Sequence, residues 1–157
     1  MGDLLTVGIA DMKIGVGDDI LITYALGSCI GTCLYDSTKK IIGLSHILLA
    51  DSKVCSNDNN IYKFANTAIK ELVRQMVIHG ANTSRLVAKI AGGATMFKNS
   101  TLKIGENNIR AVINELKELG IEIFASDIGE DYGRTMECHA SDGKVLIKSI
   151  NKENLIL

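Results

Sequence analysis

Two apolar stripes of helical period interrupt a chain that otherwise alternates like strands, and this mixture limits the possible folds more than any other feature. From Ile61, the residues Phe64, Ala65, Ala68, Ile69, Leu72, Val73, Met76 and Val77 recur at i, i+3, i+4, i+7 spacing, which makes one helix face apolar. His79 and Gly80 close that helix as a last-turn cation and a terminating glycine. A second stripe, Ile109, Val112, Ile113, Leu116 and Leu119, starts at Asn107 or Asn108 and stops at Gly120. Ahead of the helices, Leu5, Val7 and Ile9 alternate with small or polar residues, and Gly15 to Asp19 reads as a turn. Ile20 to Leu26 is apolar on both faces and predicts a central strand. Strands follow at 30–35 and 41–49 around the polar turn Asp36 to Lys39, then at 85–91 and 121–126. A hairpin closes the chain, with Arg134 to Ala140 and Val145 to Ile150 joined through Asp142-Gly143. Helix stripes need a sheet to cover. The reading is therefore α+β: one domain over residues 1–157, with a mixed, largely antiparallel sheet and two long amphipathic helices.

Charge and cysteine content narrow the function. The formal net charge is -1, with no basic cluster denser than Lys39-Lys40, which argues against nucleic acid as a partner. No apolar run approaches the roughly 18 residues of a membrane helix. The first residues lack a signal peptide's basic and apolar regions. A cytoplasmic protein, not inserted in a membrane, is expected. Its cysteines, at 29, 33, 55 and 138, are then reduced thiols, and one of them is available as a nucleophile.

A thiol nucleophile needs a base within hydrogen-bond reach and a group that orients the base. His79 is explained by capping, and His139 alternates with Cys138 along a strand. His46 is different. If Asp36 to Lys39 is a four-residue loop, or Ser37-Thr38 a two-residue one, Tyr35 faces Lys40 and Cys29 faces His46. Directly opposed residues have Cβ atoms roughly 4.5–5.5 Å apart. Gly27 allows a sharp turn before Cys29, and the backbone N–H groups from Gly27 and Ser28 onward are candidates for an oxyanion hole. Thr23, on the preceding strand, offers a hydroxyl to hold the imidazole. The competing reading is plain packing, which is the better account of Cys33. A zinc site is disfavoured: Cys29 and Cys33 lie roughly 13 Å apart in an extended strand, and no C-x-x-C pair exists.

These residues resemble a family. Ala25-Leu26-Gly27-Ser28-Cys29, followed by Leu44-Ser45-His46-Ile47-Leu48-Leu49, is similar to the CheD signature. So are Ala88 to Phe97 (AKI-x-GGA-x-MF), Ile104 to Asn108 (IG-x-x-N), Asp127-Ile128-Gly129 through Gly133-Arg134, and Asp142 to Val145, in order over nearly the whole chain. Ala25 and Glu130 stand where the family commonly has glycine, and Ala50 where it often has proline. The resemblance implies a three-layer α/β/α sandwich. It implies a cytoplasmic protein-glutamine deamidase in which Thr23, Cys29 and His46 match the catalytic threonine, cysteine and histidine, with no cofactor. The implied substrates are glutamines of methyl-accepting chemotaxis receptors, and the implied regulator is a CheC-type phosphatase.

Gly92, Gly93 and Ala94 read either as a tight strand exit or as a small-residue wall for a receptor helix. Two other functions fit parts of the pattern. A docking module for receptors or CheC would not need to keep nucleophile and base together. A small-molecule amidase would need an enclosing pocket.

Overall fold

The computed structural model describes every residue except Met1, Ser56 and Ser100. In chain order the elements are β1 (Leu4–Thr6), β2 (Met12–Val16), β3 (Ile20–Leu26), β4 (Ile30–Asp36), β5 (Ile41–Ile47), α1 (Ala65–Ile78), β6 (Val87–Gly92), α2 (Ile104–Glu118), β7 (Glu122–Ile128), β8 (Arg134–His139), β9 (Val145–Lys148) and β10 (Leu155–Ile156). They form two mixed five-stranded sheets, ordered β1-β3-β8-β9-β10 and β2-β5-β4-β6-β7. The pairs β1/β3 and β6/β7 are parallel, and the others are antiparallel.

The period of β4 and β5 explains how the layers stack. Every residue of both strands is buried, so each of the two faces needs cover. Ile30, Leu34, Ile41 and Ile47 point to one side, where Ala65, Ala68, Ile69, Leu72 and Met76 of α1 and Val112 and Leu116 of α2 meet them. Cys33, Tyr35, Ile42 and Leu44 point to the other side, against Leu21, Leu26, Met136, Val145 and Ile147 of the first sheet. Each fully buried aliphatic side chain here contributes about 1.5–3 kcal/mol. The layers therefore run helices, sheet, sheet. This corrects the α/β/α expectation: α1 and α2 pack on each other and on the same sheet, which leaves that sheet's far face to a second sheet rather than to helices.

Several boundaries move. The expected turn at Gly15 is the end of β2, which pairs with β5 from Met12↔Ser45 to Val16↔Ile41. β3 is second in its sheet rather than central, and Tyr24 on it is 52% exposed. Helix α1 starts at Ala65, because Asn60 accepts from the Tyr62 N–H and holds the chain in a turn before it. Helix α2 starts earlier than expected, at Ile104. Among the described residues no helix is long and apolar enough to cross a membrane.

Candidate active site

The β4–β5 hairpin carries both proposed reacting groups, and its register differs from the expected one. Asp36 pairs with Ile41, so the loop is Ser37 to Lys40 and Gly31 faces His46. Asp36 drives this change. Its carboxylate accepts from the N–H groups of Thr38 and Lys39 and from Arg85, which holds it inside the strand, and Lys40 closes the turn at φ 51°. Cys29 is therefore diagonal to His46 rather than opposite it. Both stay on one face, because the register moves by an even step. Gly31 stands between them on that face, where a Cβ would run into Met136 Sδ across the sheet interface.

His46 is fully buried and reaches across to the other sheet. Its Nδ1 lies 2.7 Å from Thr23 Oγ1, and Thr23 Oγ1 donates to the Val7 carbonyl at 2.8 Å. A hydroxyl has one proton to give. With that proton on Val7 O, Thr23 can only accept from His46, so the imidazole carries its hydrogen on Nδ1 and leaves Nε2 as a lone pair. Nε2 is buried and has no hydrogen-bond partner among the described residues. Burial lowers the imidazole pKa from its ordinary 6.5, which favours the neutral base. Burial pushes the Cys29 thiol up, while its own backbone N–H acts in the opposite sense. The resting pair is thus thiol and neutral imidazole. Cys29 keeps 7% exposure and His46 none, so the thiol is the member nearer the surface.

The turn before Cys29 is built from two directions. Between Thr23↔Met136 and Leu26↔Arg134 the β3–β8 register shifts, and the bulge places Ala25 at φ 58°. Ala25, rather than Gly27, thus takes the left-handed conformation. The Gly27 N–H bonds Ala25 O at 3.0 Å and is not free to bind an oxyanion; the Ser28 and Cys29 amides follow it in the turn. Gly27 lies against Met96, whose Cγ would be 3.3 Å from a Cβ there.

Gly92, Gly93 and Ala94 are buried and brace this turn from behind. The Gly93 N–H donates to Cys29 O at 2.9 Å, and the Ala94 N–H to Gly27 O at 2.8 Å. Gly92 has φ 111°, and a Cβ on it would strike the Cys29 carbonyl. Exposed apolar side chains follow at once: Met96 at 46% and Phe97 at 79%.

Two supporting residues stand in the sequence motifs without a role assigned to them. Arg134, buried in β8, donates to Asp127 Oδ2 at 2.9 Å and to Gly129 O at 3.0 Å, which ties the sheets together at this end. Asn108 donates to Ser28 O and Leu48 O. A buried polar type inside a helix stripe was the available signal for Asn108. The other cysteines lie elsewhere. Cys33 is buried beside Cys138, whose thiol is pushed well up by burial and by Cys33, and Cys55 is half-buried at the end of a short 3-10 helix, Ser52–Cys55. His79 caps α1 through Gln75 O.

A thiol on the same sheet face as a tautomer-locked, buried imidazole and diagonal to it, on a turn with backbone amides of its own, has the parts of a cysteine-dependent acyl-transfer enzyme. The chain belongs to the CheD family: the model described as CheD chemotactic sensory transduction matches residues 48–149. It is 47% identical over 156 residues to the probable chemoreceptor glutamine deamidase CheD of Lachnoclostridium phytofermentans, covering 97% of each chain. Its identity to the protein of the same description from Caldanaerobacter subterraneus is 46%, over 94% of this chain and 93% of that one. With the Syntrophomonas wolfei counterpart it shares 45% over the whole of both.

Proposed function

We propose that this protein hydrolyses the side-chain amide of chemoreceptor glutamines to glutamate, with Cys29 as nucleophile, His46 as base and Thr23 as the group that orients it. The observation that carries this is the Val7–Thr23–His46 relay, which fixes the one tautomer in which Nε2 can take a proton. Nε2 takes the thiol proton as sulfur attacks the amide carbon. The Ser28 and Cys29 N–H groups stabilise the oxyanion. The imidazolium then protonates the departing ammonia. A water activated by the neutral imidazole hydrolyses the thioester, which releases glutamate and the thiol.

A macromolecular substrate suits the surface. The Cys29 turn packs against Met96 at Gly27, and Met96 and its neighbour Phe97 are exposed apolar side chains of the kind that meet a protein partner. The buried Gly92–Ala94 segment serves chiefly as the brace behind that turn. The same reading places the protein in the cytoplasm, with a CheC-type phosphatase as regulator.

Intact-mass spectrometry of a receptor cytoplasmic fragment tests the proposal. Wild type should add about 1 Da per converted site, as NH₂ is exchanged for OH through the thiolate route, and Cys29→Ala should add none. CheC-type phosphatase in the same assay should slow conversion. Undiminished conversion by Cys29→Ala would end the nucleophile assignment, and binding without conversion by wild type would favour a docking module.

A further inference from the structure

The ladder joining β4 to β5 ends at Ile30↔Ile47, one residue short of Cys29 and one past His46. Among the described residues no backbone bond joins the two strands beyond that pair, so His46 lies inside the ladder and Cys29 one residue outside it. A single side chain spans the gap. Asn108, 1% exposed on α2, places Nδ2 2.9 Å from Ser28 O and 2.9 Å from Leu48 O. Both neighbours are acceptors, so the amide must present its NH₂ group, one hydrogen to each. Ser28 precedes Cys29, and Leu48 lies two residues beyond His46.

We propose that Asn108 is a positioning residue for the reaction, holding the Cys29 turn against the His46 strand and setting the direction of the Cys29 amide. The proposal rests on the assignment of Cys29 as nucleophile. In a planar trans peptide, C=O and N–H point in opposite directions. With the Ser28 carbonyl drawn to Asn108, the Cys29 N–H is turned away from α2, to the side of its own sulfur. Gly93 and Ala94 hold the carbonyls on either side of it, so all three carbonyls of Gly27-Ser28-Cys29 are engaged from behind. Packing alone does not call for an amide here, since a leucine would fill a helix stripe without the desolvation cost of a buried amide.

The test compares wild type with Asn108→Ala, Asn108→Asp and a folding control, Leu116→Ala, which removes a buried contact from the same helix without touching either carbonyl. Three readouts are taken below each protein's melting temperature: kcat and KM on the receptor fragment, and the pH dependence of Cys29 alkylation by iodoacetamide, read on the Cys29 peptide. Asn108→Ala should lower kcat roughly 10- to 100-fold, the scale of a misplaced reacting group. Its KM should stay within about threefold, and its alkylation profile should move to higher pH. Leu116→Ala should lose stability and keep the wild-type profile. Should Asn108→Ala fail to fold, Asn108→Asp decides: its kcat relative to wild type should climb as pH falls, because the protonated acid regains one donor. Wild-type kcat and alkylation in Asn108→Ala, a flat Asn108→Asp ratio, or the same losses in Leu116→Ala would overturn the proposal. Activity surviving in Cys29→Ala would instead remove the nucleophile assignment beneath it.

Discussion

His46 is held where an imidazole is least able to ionise, and its pH behaviour follows. Because burial disfavours the charged ring, kcat/KM should rise with pH along one acid limb whose midpoint lies below 6.5, checked by a pH–rate profile. A midpoint at or above 6.5 would mean that burial does not disfavour the charged ring. Thr23→Val keeps the volume and removes the acceptor that fixes the tautomer. It should lower kcat by roughly tenfold or more, in proportion to the time the ring spends misoriented. It should also cost about 1–2 kcal/mol of stability, because the Val7 carbonyl loses its donor; steady-state kinetics beside a thermal melt separate the two effects. At this scale the sequence was informative. Thr23, Cys29 and His46 could be proposed from the chain alone, because a thiol follows a glycine turn and hairpin register set His46 apart from His139, the other strand histidine; the Thr23–His46 contact is present in the structure. Asn108 and Arg134 appear in the sequence motifs, but their roles were not legible, because their partners lie 80 and 60 residues away for Asn108 and on a different strand for Arg134.

Turns are where this chain departs from ideal geometry. Ala25 in the β3 bulge and Glu130 in the β7–β8 connection have φ of 58° and 61°, a region that costs a residue with a Cβ roughly 1–2 kcal/mol. The two positions coincide with those at which the CheD resemblance leads one to expect glycine. Ala25→Gly and Glu130→Gly should each stabilise the fold by about 1 kcal/mol, read from urea midpoints. The elements themselves follow their periodicity, and the discrepancies have local causes. β2 was hidden because Gly15 reads as the start of the Gly15–Asp19 turn, although Met12, Ile14 and Val16 alternate with Lys13 and Gly15. The β4–β5 register slipped because the sequence does not announce that Asp36 is taken up by Arg85, 49 residues away. Two-sided burial of β4 and β5 showed only that both faces are covered, and the pattern of a covering sheet looks, from the strand, the same as that of a covering helix.

For the molecule as a whole, the Asp36–Arg85 pair links the β4–β5 hairpin to the segment that leads into β6. Burial pushes the Asp36 carboxyl up, but Arg85, with the Asn82 and Lys39 N–H groups, overrides this and holds it at about 2. The unfolded chain takes up this proton near 3.8, so between 3.8 and about 2 it binds more protons than the folded protein, and stability falls as pH falls. Asp36→Asn should therefore cost about 2 kcal/mol at neutral pH, a deficit that closes as pH drops through that window, measured by denaturant melts at stepped pH. The three carbonyls of the Cys29 turn have a consequence of another kind. Their outside partners, Gly93, Ala94 and Asn108, all come from the second half of the chain. While the protein is being made, Cys29 and His46 emerge from the ribosome before the residues that hold the three carbonyls of the Cys29 turn. A nascent chain that ends before α2 therefore lacks at least one of these partners, and one that ends before β8 also lacks the strand against which the Ala25 bulge forms.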